Sequence, residues 1–271
     1  MAEAWSRMTG KPGVCFGTMG PGVANLVAAA IVAAKENTPT LFLGGNRARL
    51  AEHRVKRGRS QYISQTQYLE PAMKYVGVIE YAQQTDEVIL EALRVAQSGK
   101  PGPVYVEIPM HVLQEAPDWP ELQPPEVYRL VHQPAGAPMV DAAVKLLRGA
   151  TNPIMLLGHG SFTARAHGGV AALAGALNCP IIQTSGGTSF MPGYEDRTFL
   201  YGFSQSAIEA VSSSDVVLAI GTELGEQVRA RAGQQPRIGG RVVARLDDDV
   251  VARGIDEEQP RAESLHAARE P

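Results

Sequence analysis

The stretch GTMGPGVAN, residues 17–25, decides the fold of this chain, because it joins two elements that often build a ligand site. Before it, GVCF (13–16) predicts a short buried strand. After it, the alanine-rich segment from Val23 to Glu36 predicts a helix. A glycine-rich turn between strand and helix lets a ligand approach the backbone closely and exposes unpaired helix N–H groups. A tight turn with no ligand explains the same residues, so the neighbouring sequence must decide.

The rest of the chain alternates between short apolar runs and helical patterns, which is typical of an α/β protein. Apolar runs that predict strands lie at 40–43, 103–109, 153–157, 180–184, 215–220 and 241–246. Patterns that predict helices lie at 86–97, 139–147 and 164–177; in the first of these, Val88, Ile89, Ala92, Leu93 and Ala96 share one face. We therefore expect two doubly wound parallel-sheet domains with helices on both faces.

One proline-rich segment interrupts this alternation and predicts the domain boundary. Residues 115–138 have no sustained apolar period and are interpreted as a linker between a domain at 1–114 and a second domain at 139–253. Residues 254–271 are polar and patternless, which predicts a disordered tail.

The predicted strands end in glycine, hydroxyl and acidic residues, where doubly wound sheets bind their ligands. These ends read GTMGPG, GGN, GHGS, TSGGTS, GTE and DDD in chain order. The pattern favours a nucleotide-like or cofactor-like ligand, although βα loops are commonly built from the same residues.

Composition excludes several classes of function. Of the 271 residues, 44% are hydrophobic and 20% charged, and the net charge of -3 gives no reason to expect nucleic acid or an anionic membrane as a partner. The two cysteines, Cys15 and Cys179, lie in apolar runs and are expected to be buried reduced thiols rather than a disulfide or a nucleophile. With no apolar run of membrane-spanning length and no signal-peptide pattern, we expect a cytoplasmic protein.

Two sequence blocks, in the expected order, resemble the thiamine-diphosphate-dependent decarboxylase and carboligase family typified by acetolactate synthase. TGKPGV (9–14) with TMGPGVAN (18–25) resembles the first family signature, and SGKPGPV (98–104) with EIP (107–109) resembles the second. Between them, QYISQ (61–65) with Pro71 and Lys74 is similar to a further family stretch. The segment from Pro153 to Asp249 is similar to the central domain of the family.

The resemblance implies a cofactor, thiamine diphosphate, that binds between a pyrimidine domain and a pyrophosphate domain of another subunit. It implies that Gly20, Pro21, Gly22 and Asn25 contact the pyrimidine and that Gln61 lies near the substrate. These residues are expected to position ligands, since none is a proton-transfer group, and no catalytic residue and no metal ligand is assigned. Magnesium is expected only with the pyrophosphate domain, which this chain is expected to lack.

Departures from the family pattern limit what the resemblance implies. The catalytic glutamate of the family belongs upstream of the segment similar to residues 1–5, and Glu3 is not its equivalent; Glu3 is expected on a helix that turns Ala2, Trp5 and Met8 to the core. Glu223 stands where flavin-binding members have an arginine, so FAD is not expected. The acidic run 247–249 is interpreted as a strand end rather than as a metal site.

The sequence leaves two interpretations open for each of two further features. His159 is either a surface-loop residue or a nucleotide or substrate contact. The arginine-rich segment 46–60 is either a solvated loop or a device that attracts an anionic substrate such as a 2-oxo acid.

The sequence therefore supports two functions. The first is part of a thiamine-diphosphate-dependent decarboxylase, lyase or carboligase that is inactive alone and forms a homo-oligomer. The second is a non-catalytic module that pairs with a separate pyrophosphate-domain chain or binds a nucleotide, so enzyme activity of this chain is left open. An NAD-dependent oxidoreductase is disfavoured, because GPGVAN lacks the GxGxxG spacing and no acidic residue ends the second strand.

Overall fold

The structure, a computed structural model, describes residues 1–48, 60–117, 124, 135–187, 191, 193–224 and the backbone of 241–243. The chain divides into two compact units, Met1–Pro134 and Ala135–Pro271. The division falls inside the predicted linker 115–138, most of which lies outside the described residues, as do the tail 254–271, the acidic run 247–249 and most of the basic segment 46–60.

The N-terminal unit is a four-stranded parallel sheet with the strand order β1-β2-β4-β3. Its strands are β1 (Gly13–Gly17), β2 (Thr40–Asn46), β3 (Tyr75–Val78) and β4 (Val104–Pro109). Its helices are α1 (Ala2–Thr9), α2 (Pro21–Ala24), α3 (Val27–Lys35), α4 (Gln65–Leu69), α5 (Thr85–Gln97) and α6 (Met110–Gln114).

Alternation along the central strands sends side chains to two separate cores. Phe42 and Tyr105 pack with Val23, Ala30, Ala33 and Leu69 on one face, beneath α2, α3 and α4. Leu41, Val104 and Val106 pack on the other face with Ala92 and Ala96 of α5 and Val112 of α6. Helices therefore cover both faces of this sheet.

The second unit repeats this architecture with a five-stranded parallel sheet of order β7-β6-β5-β8-β9. Its strands are β5 (Pro153–Leu157), β6 (Ile181–Gln183), β7 (Thr198–Leu200), β8 (Val216–Ile220) and β9 (Arg241–Val243). Its helices are α7 (Ala137–Arg148), α8 (His159–Thr163), α9 (His167–Leu177) and α10 (Gln205–Ser213). Met155 and Leu157 pack with Val170 and Ala174 of α9 on one face, whereas Ile154 and Leu156 pack with Ala207 and Val211 of α10 on the other. The predicted fold class, two doubly wound parallel sheets, is confirmed.

The prediction of a buried first strand is wrong. Val14 is 55% exposed and Phe16 is 58% exposed, although Gly13 and Gly17 are buried. β1 is an edge strand, and its partners in register across from Val14 and Phe16 are Leu41 and Leu43 of β2. Helix α5 packs over β2, β3 and β4, so the cover of this face does not extend to β1.

The orientation predicted for α1 is also wrong. Trp5 is 58% and Met8 77% exposed, and the buried residue of this helix is Ser6. The Ser6 hydroxyl accepts a hydrogen bond from the Gly13 N–H at 2.7 Å and lies 2.6 Å from the Pro39 carbonyl oxygen. A polar anchor rather than an apolar stripe therefore attaches α1 to the start of the sheet.

One predicted helix is interrupted, another starts later than predicted, and one predicted buried thiol is only half-buried. The segment from Val23 to Glu36 forms α2 and α3 with a turn at Asn25 and Leu26, and the helix predicted at 164–177 starts only at His167. Cys179 is buried and Cys15 half-buried, and both thiols are free.

Candidate functional site

The turn between β1 and α2 has a backbone shape that requires glycine at its centre. Gly20 has φ +68, and a Cβ at this position would lie 2.2 Å from the carbonyl oxygen of Gln61. At Gly22, which is half-buried, a Cβ would lie 2.6 Å from Cγ2 of Thr18. Contacts within the chain therefore account for both glycines without any ligand.

The predicted unpaired N–H groups at this turn are bonded within the protein. The Gly20 N–H donates to Oε1 of Gln65 at 2.6 Å, and the Val23 N–H donates to the Thr18 carbonyl at 2.9 Å. The prediction of open helix N–H groups is therefore wrong for these two residues.

The predicted site residues lie on the turn, in α2 with the residue after it, and at Gln61, whose backbone packs against Gly20. Pro21, Asn25 and Gln61 are exposed, whereas Gly20 is buried beneath the backbone of Gln61. The Asn25 N–H donates to the Pro21 carbonyl at 3.0 Å, which closes the single turn of α2. An incoming ligand can thus reach the pyrrolidine ring of Pro21 and the amide side chains of Asn25 and Gln61.

A buried polar network lies directly beneath the turn and was not predicted from the sequence. Its members are Gln65, which is 2% exposed, Glu107, which is 5% exposed, and Tyr105, which has no exposed surface. Nε2 of Gln65 donates to Oε2 of Glu107 at 2.9 Å and to the Gly45 carbonyl at 2.9 Å, and it lies 3.3 Å from the Tyr105 hydroxyl. The network ties the carboxyl ends of β2 and β4 to the turn.

Glu107 receives hydrogen bonds from three neutral donors. Nδ2 of Asn46 donates to Oε1 at 2.5 Å, while Nε2 of Gln65 and the Tyr105 hydroxyl donate to Oε2, the latter at 3.2 Å. Burial and the neighbouring Glu107 raise the pKa of the Tyr105 phenol, so this hydroxyl stays a donor. One sequence signal could have found this site, because Glu107 is a charged residue between the apolar residues Val106 and Ile108 of a buried strand.

Lys74, which belongs to the same family stretch as QYISQ (61–65), makes contacts within the protein. Its Nζ lies 2.8 Å from the Val95 carbonyl oxygen and 2.7 Å from those of Ser98 and Lys100. The ammonium group thereby holds the end of α5 and the SGKPGP loop, so two of the sequence blocks meet through this lysine.

Glu3 takes part in contacts of α1 with its surroundings. Its carboxylate pairs with Arg7 and lies 3.4 Å from the Thr38 hydroxyl. The contact with Thr38 joins α1 to the segment between α3 and β2, so it gives Glu3 a structural role.

The carboxyl edge of the second sheet is formed by three loops in close contact. A Cβ on Gly158 would lie 2.3 Å from the Gly221 carbonyl oxygen, and one on Gly221, with φ +58, would lie 2.3 Å from the Ser161 nitrogen. His159 is half-buried: its Nδ1 lies 3.0 Å from the Gly186 carbonyl oxygen, and its buried Nε2 has no hydrogen-bond partner. His159 is thus a half-buried residue at the start of α8 rather than a fully exposed loop residue, and a contact with a ligand stays a prediction.

Neither a metal-binding cluster nor a membrane-spanning helix is present in the part of the chain that the structure describes. Among those residues no group of three or more His, Cys, Asp or Glu side chains could hold a metal ion. None of the described helices has the length and apolarity needed to span a bilayer.

Comparison with known proteins identifies both units. Residues 1–69 match the family model of the N-terminal TPP binding domain of thiamine pyrophosphate enzymes, and residues 140–249 match the model of their central domain. The chain is similar to an acetolactate synthase of Arthrospira platensis, with 28% identity over 86% of this chain and 41% of the relative.

Two large subunits give the same result. The acetolactate synthase large subunit of Parasynechococcus marenigrum is 30% identical over 85% of this chain and 38% of the relative. The isozyme 3 large subunit of Escherichia coli is 25% identical over 84% of this chain and 40% of the relative. The chain thus spans about 40% of the length of the curated relatives it matches. Its two units, in this order, place the chain in the thiamine pyrophosphate enzyme family, of which it carries the N-terminal and central domain types.

Proposed function

We propose that this chain supplies the pyrimidine-facing part of a thiamine-diphosphate-dependent decarboxylase, lyase or carboligase acting on a 2-oxo acid or a related acyl donor. The observation that carries the proposal is the Gly20-Pro21-Gly22 turn. It is held from below by buried Gln65 and exposes Pro21 and Asn25 within a unit of the TPP-binding type.

The described residues fit the pyrimidine end of the cofactor. Pro21 offers a flat apolar surface to a heteroaromatic ring, and the exposed amides of Asn25 and Gln61 offer donors and acceptors for its polar edge. We propose that the diphosphate end of the cofactor binds to residues outside this chain, as the resemblance implies. Thiamine diphosphate, when bound, supplies the electron sink that such reactions need.

The role of the chain's own residues is then binding and orientation. The turn fixes the height of Pro21 and Asn25 above the sheet, because Gly20 is bonded to Gln65 and packed against Gln61. We propose that residues outside 1–271, in a longer form of the protein or in a separate pyrophosphate-domain chain, complete catalysis, and that 1–271 alone turns over little or no pyruvate. We place this activity in the cytoplasm, in keeping with two free thiols.

Calorimetry with thiamine diphosphate tests this proposal. We expect saturable binding to the chain, and we expect Asn25→Ala to weaken it about tenfold, the loss of one good hydrogen bond to the ligand. Gln83→Ala, which removes an exposed amide from the segment between β3 and α5, is the matched control and should leave the affinity unchanged. Equal affinities for the two variants, or no binding heat with the unaltered chain, would contradict the proposed function.

Self-association is the second part of the proposal, and one observation favours it. Val14 and Phe16 expose their side chains next to each other on the edge strand β1. Exposed apolar side chains on an edge strand favour association. We propose that a second copy of this chain covers them, as part of a homo-oligomer.

A further inference from the structure

The side-chain amide of Gln65 has one orientation that its surroundings accept. Two of its neighbours, the Glu107 carboxylate and the Gly45 carbonyl, only accept hydrogen bonds, so the NH₂ end must face them. The oxygen end then faces Gly20, whose backbone N–H can only donate. A rotated amide would place oxygen against oxygen at Glu107 and NH₂ against N–H at Gly20.

Glu107 contributes to this choice of orientation with an acceptor that is itself held in place. A buried carboxyl group is costly unless its oxygens are bonded, and Glu107 bonds both oxygens to groups that are themselves held in place. The Asn46 side chain that donates to Oε1 is fixed in turn, because its own oxygen accepts the Arg47 N–H at 2.7 Å. Oε2 is thereby directed at Nε2 of Gln65.

We propose that Glu107 is a positioning residue: by fixing the orientation of the Gln65 amide, it holds the Gly20-Pro21-Gly22 turn in its binding shape. The identity of the ligand at that turn, thiamine diphosphate, rests on the proposed function. The hydrogen-bond chain from Glu107 to Gly20 rests on the contacts alone. Glu107 itself lies beneath the turn and acts through Gln65.

Removing the carboxyl group should free the turn, whereas replacing it by an amide should largely preserve it. In Glu107→Leu one of the two acceptors of Nε2 of Gln65 is lost, so only the Gly45 carbonyl and the Gly20 N–H still oppose rotation of the Gln65 amide. In Glu107→Gln the side-chain oxygen can still accept from Nε2 of Gln65. Val106→Ala is the matched control, since Val106 is a fully buried neighbour on β4 whose side chain packs on the opposite face of the sheet.

Hydrogen exchange of the Gly20 amide, followed by NMR on the full chain, reads out the turn directly. Each rate is divided by that of the Ala30 amide, which lies in α3 and bonds to the Leu26 carbonyl at 2.9 Å, so that changes in overall stability cancel. We expect this ratio to rise at least tenfold in Glu107→Leu and to stay within threefold of the unaltered chain in Glu107→Gln and Val106→Ala. Calorimetry should show at least tenfold weaker binding of thiamine diphosphate by Glu107→Leu and unchanged binding by Val106→Ala.

An unchanged ratio in Glu107→Leu, or an equal rise in Val106→Ala, would overturn the inference. If Glu107→Leu does not fold, Gln65→Glu replaces it, because a second carboxylate facing Glu107 should also raise the ratio tenfold; an unchanged ratio there overturns the inference too. If the unaltered chain binds no thiamine diphosphate while the ratio rises as expected, the proposed function fails and the positioning role of Glu107 stands.

Discussion

The substitution Gln65→Leu tests how much the buried network contributes to the stability of the N-terminal unit. Leucine is close to glutamine in size but has no hydrogen-bonding atoms. It leaves three buried groups without their partner: the Gly20 N–H, the Gly45 carbonyl and one oxygen of Glu107. Each such group costs about 1–3 kcal/mol.

The lower half of that range applies here, because Glu107 keeps its bonds to Asn46 and Tyr105. The added apolar surface of leucine offsets about 1–2 kcal/mol. We therefore expect Gln65→Leu to lower the free energy of unfolding by about 3 kcal/mol, at the upper end of what single substitutions usually cost.

Urea denaturation followed by tryptophan fluorescence measures this loss. Both tryptophans, Trp5 and Trp119, precede residue 134, so the signal follows the N-terminal unit. Gln67→Leu is the control, since Gln67 lies two residues further along α4 and is exposed; it should change stability by less than about 0.5 kcal/mol. A loss below about 1 kcal/mol in Gln65→Leu would refute the view that this network holds the turn.

Three further predictions concern charge, thiols and association. Backbone N–H groups of Thr151 and Asn152, 2.6 and 2.9 Å from the Asp215 carboxylate, lower the pKa of Asp215. The ionised Asp215 therefore stabilises the fold above its unfolded pKa of about 3.9, and this stabilisation is lost as the pH falls through the lower folded pKa. Asp215→Asn should thus make the free energy of unfolding of the second unit less dependent on pH in the acid range. An unchanged pH dependence in acid titrations followed by circular dichroism would count against this. Burial raises the pKa of both Cys15 and Cys179. A thiol reagent at pH 8 should therefore modify the native chain slowly, with Cys179 reacting last, and should modify both thiols rapidly in denaturant. Rapid labelling of Cys179 in the native chain would contradict this prediction. Phe16→Lys should shift the chain toward monomer in analytical ultracentrifugation at micromolar concentration, because it places a charge on the exposed side of β1. The control Lys35→Glu, at an exposed position of α3, should not change the association. A monomeric unaltered chain would disprove self-association.

The strand and helix pattern could be read from the sequence because each element carries its own local signal. The run from Val104 to Pro109 is apolar and bracketed by prolines, and α5 repeats its apolar residues at helical spacing. The strands β3 and β7 were not predicted, since neither is an uninterrupted apolar run: β3 (YVGV) contains Gly77, and β7 (TFL) begins with Thr198.

Exposure and tertiary contacts were harder to predict, because they depend on which elements become neighbours. Nothing in GVCF reveals that β1 lies at an edge of the sheet, and the apolar residues Trp5 and Met8 gave the wrong face for α1. The network beneath the turn joins Gln65 and Glu107, which lie 42 residues apart. Such a pairing follows from the parallel sheet and cannot be seen in either motif alone.

The candidate site, too, was predicted only in part from the sequence. The glycine turn and its exposed neighbours Pro21 and Asn25 were identified from the sequence blocks, and whether they contact a cofactor stays a prediction. The residues that shape the turn from below, Gln65 and Glu107, were quoted only as parts of motifs. Their importance appears once their hydrogen bonds are known.

An NMR titration of the chain with thiamine diphosphate tests the central claim most directly. The account predicts that the amide signals of Gly20, Gly22, Asn25 and Gln61 shift together with one dissociation constant, while those of Val170 and Ile182 in the second unit stay in place. Shifts confined to the second unit, or no shift at the turn at saturating ligand, would contradict the claim that this turn faces the cofactor.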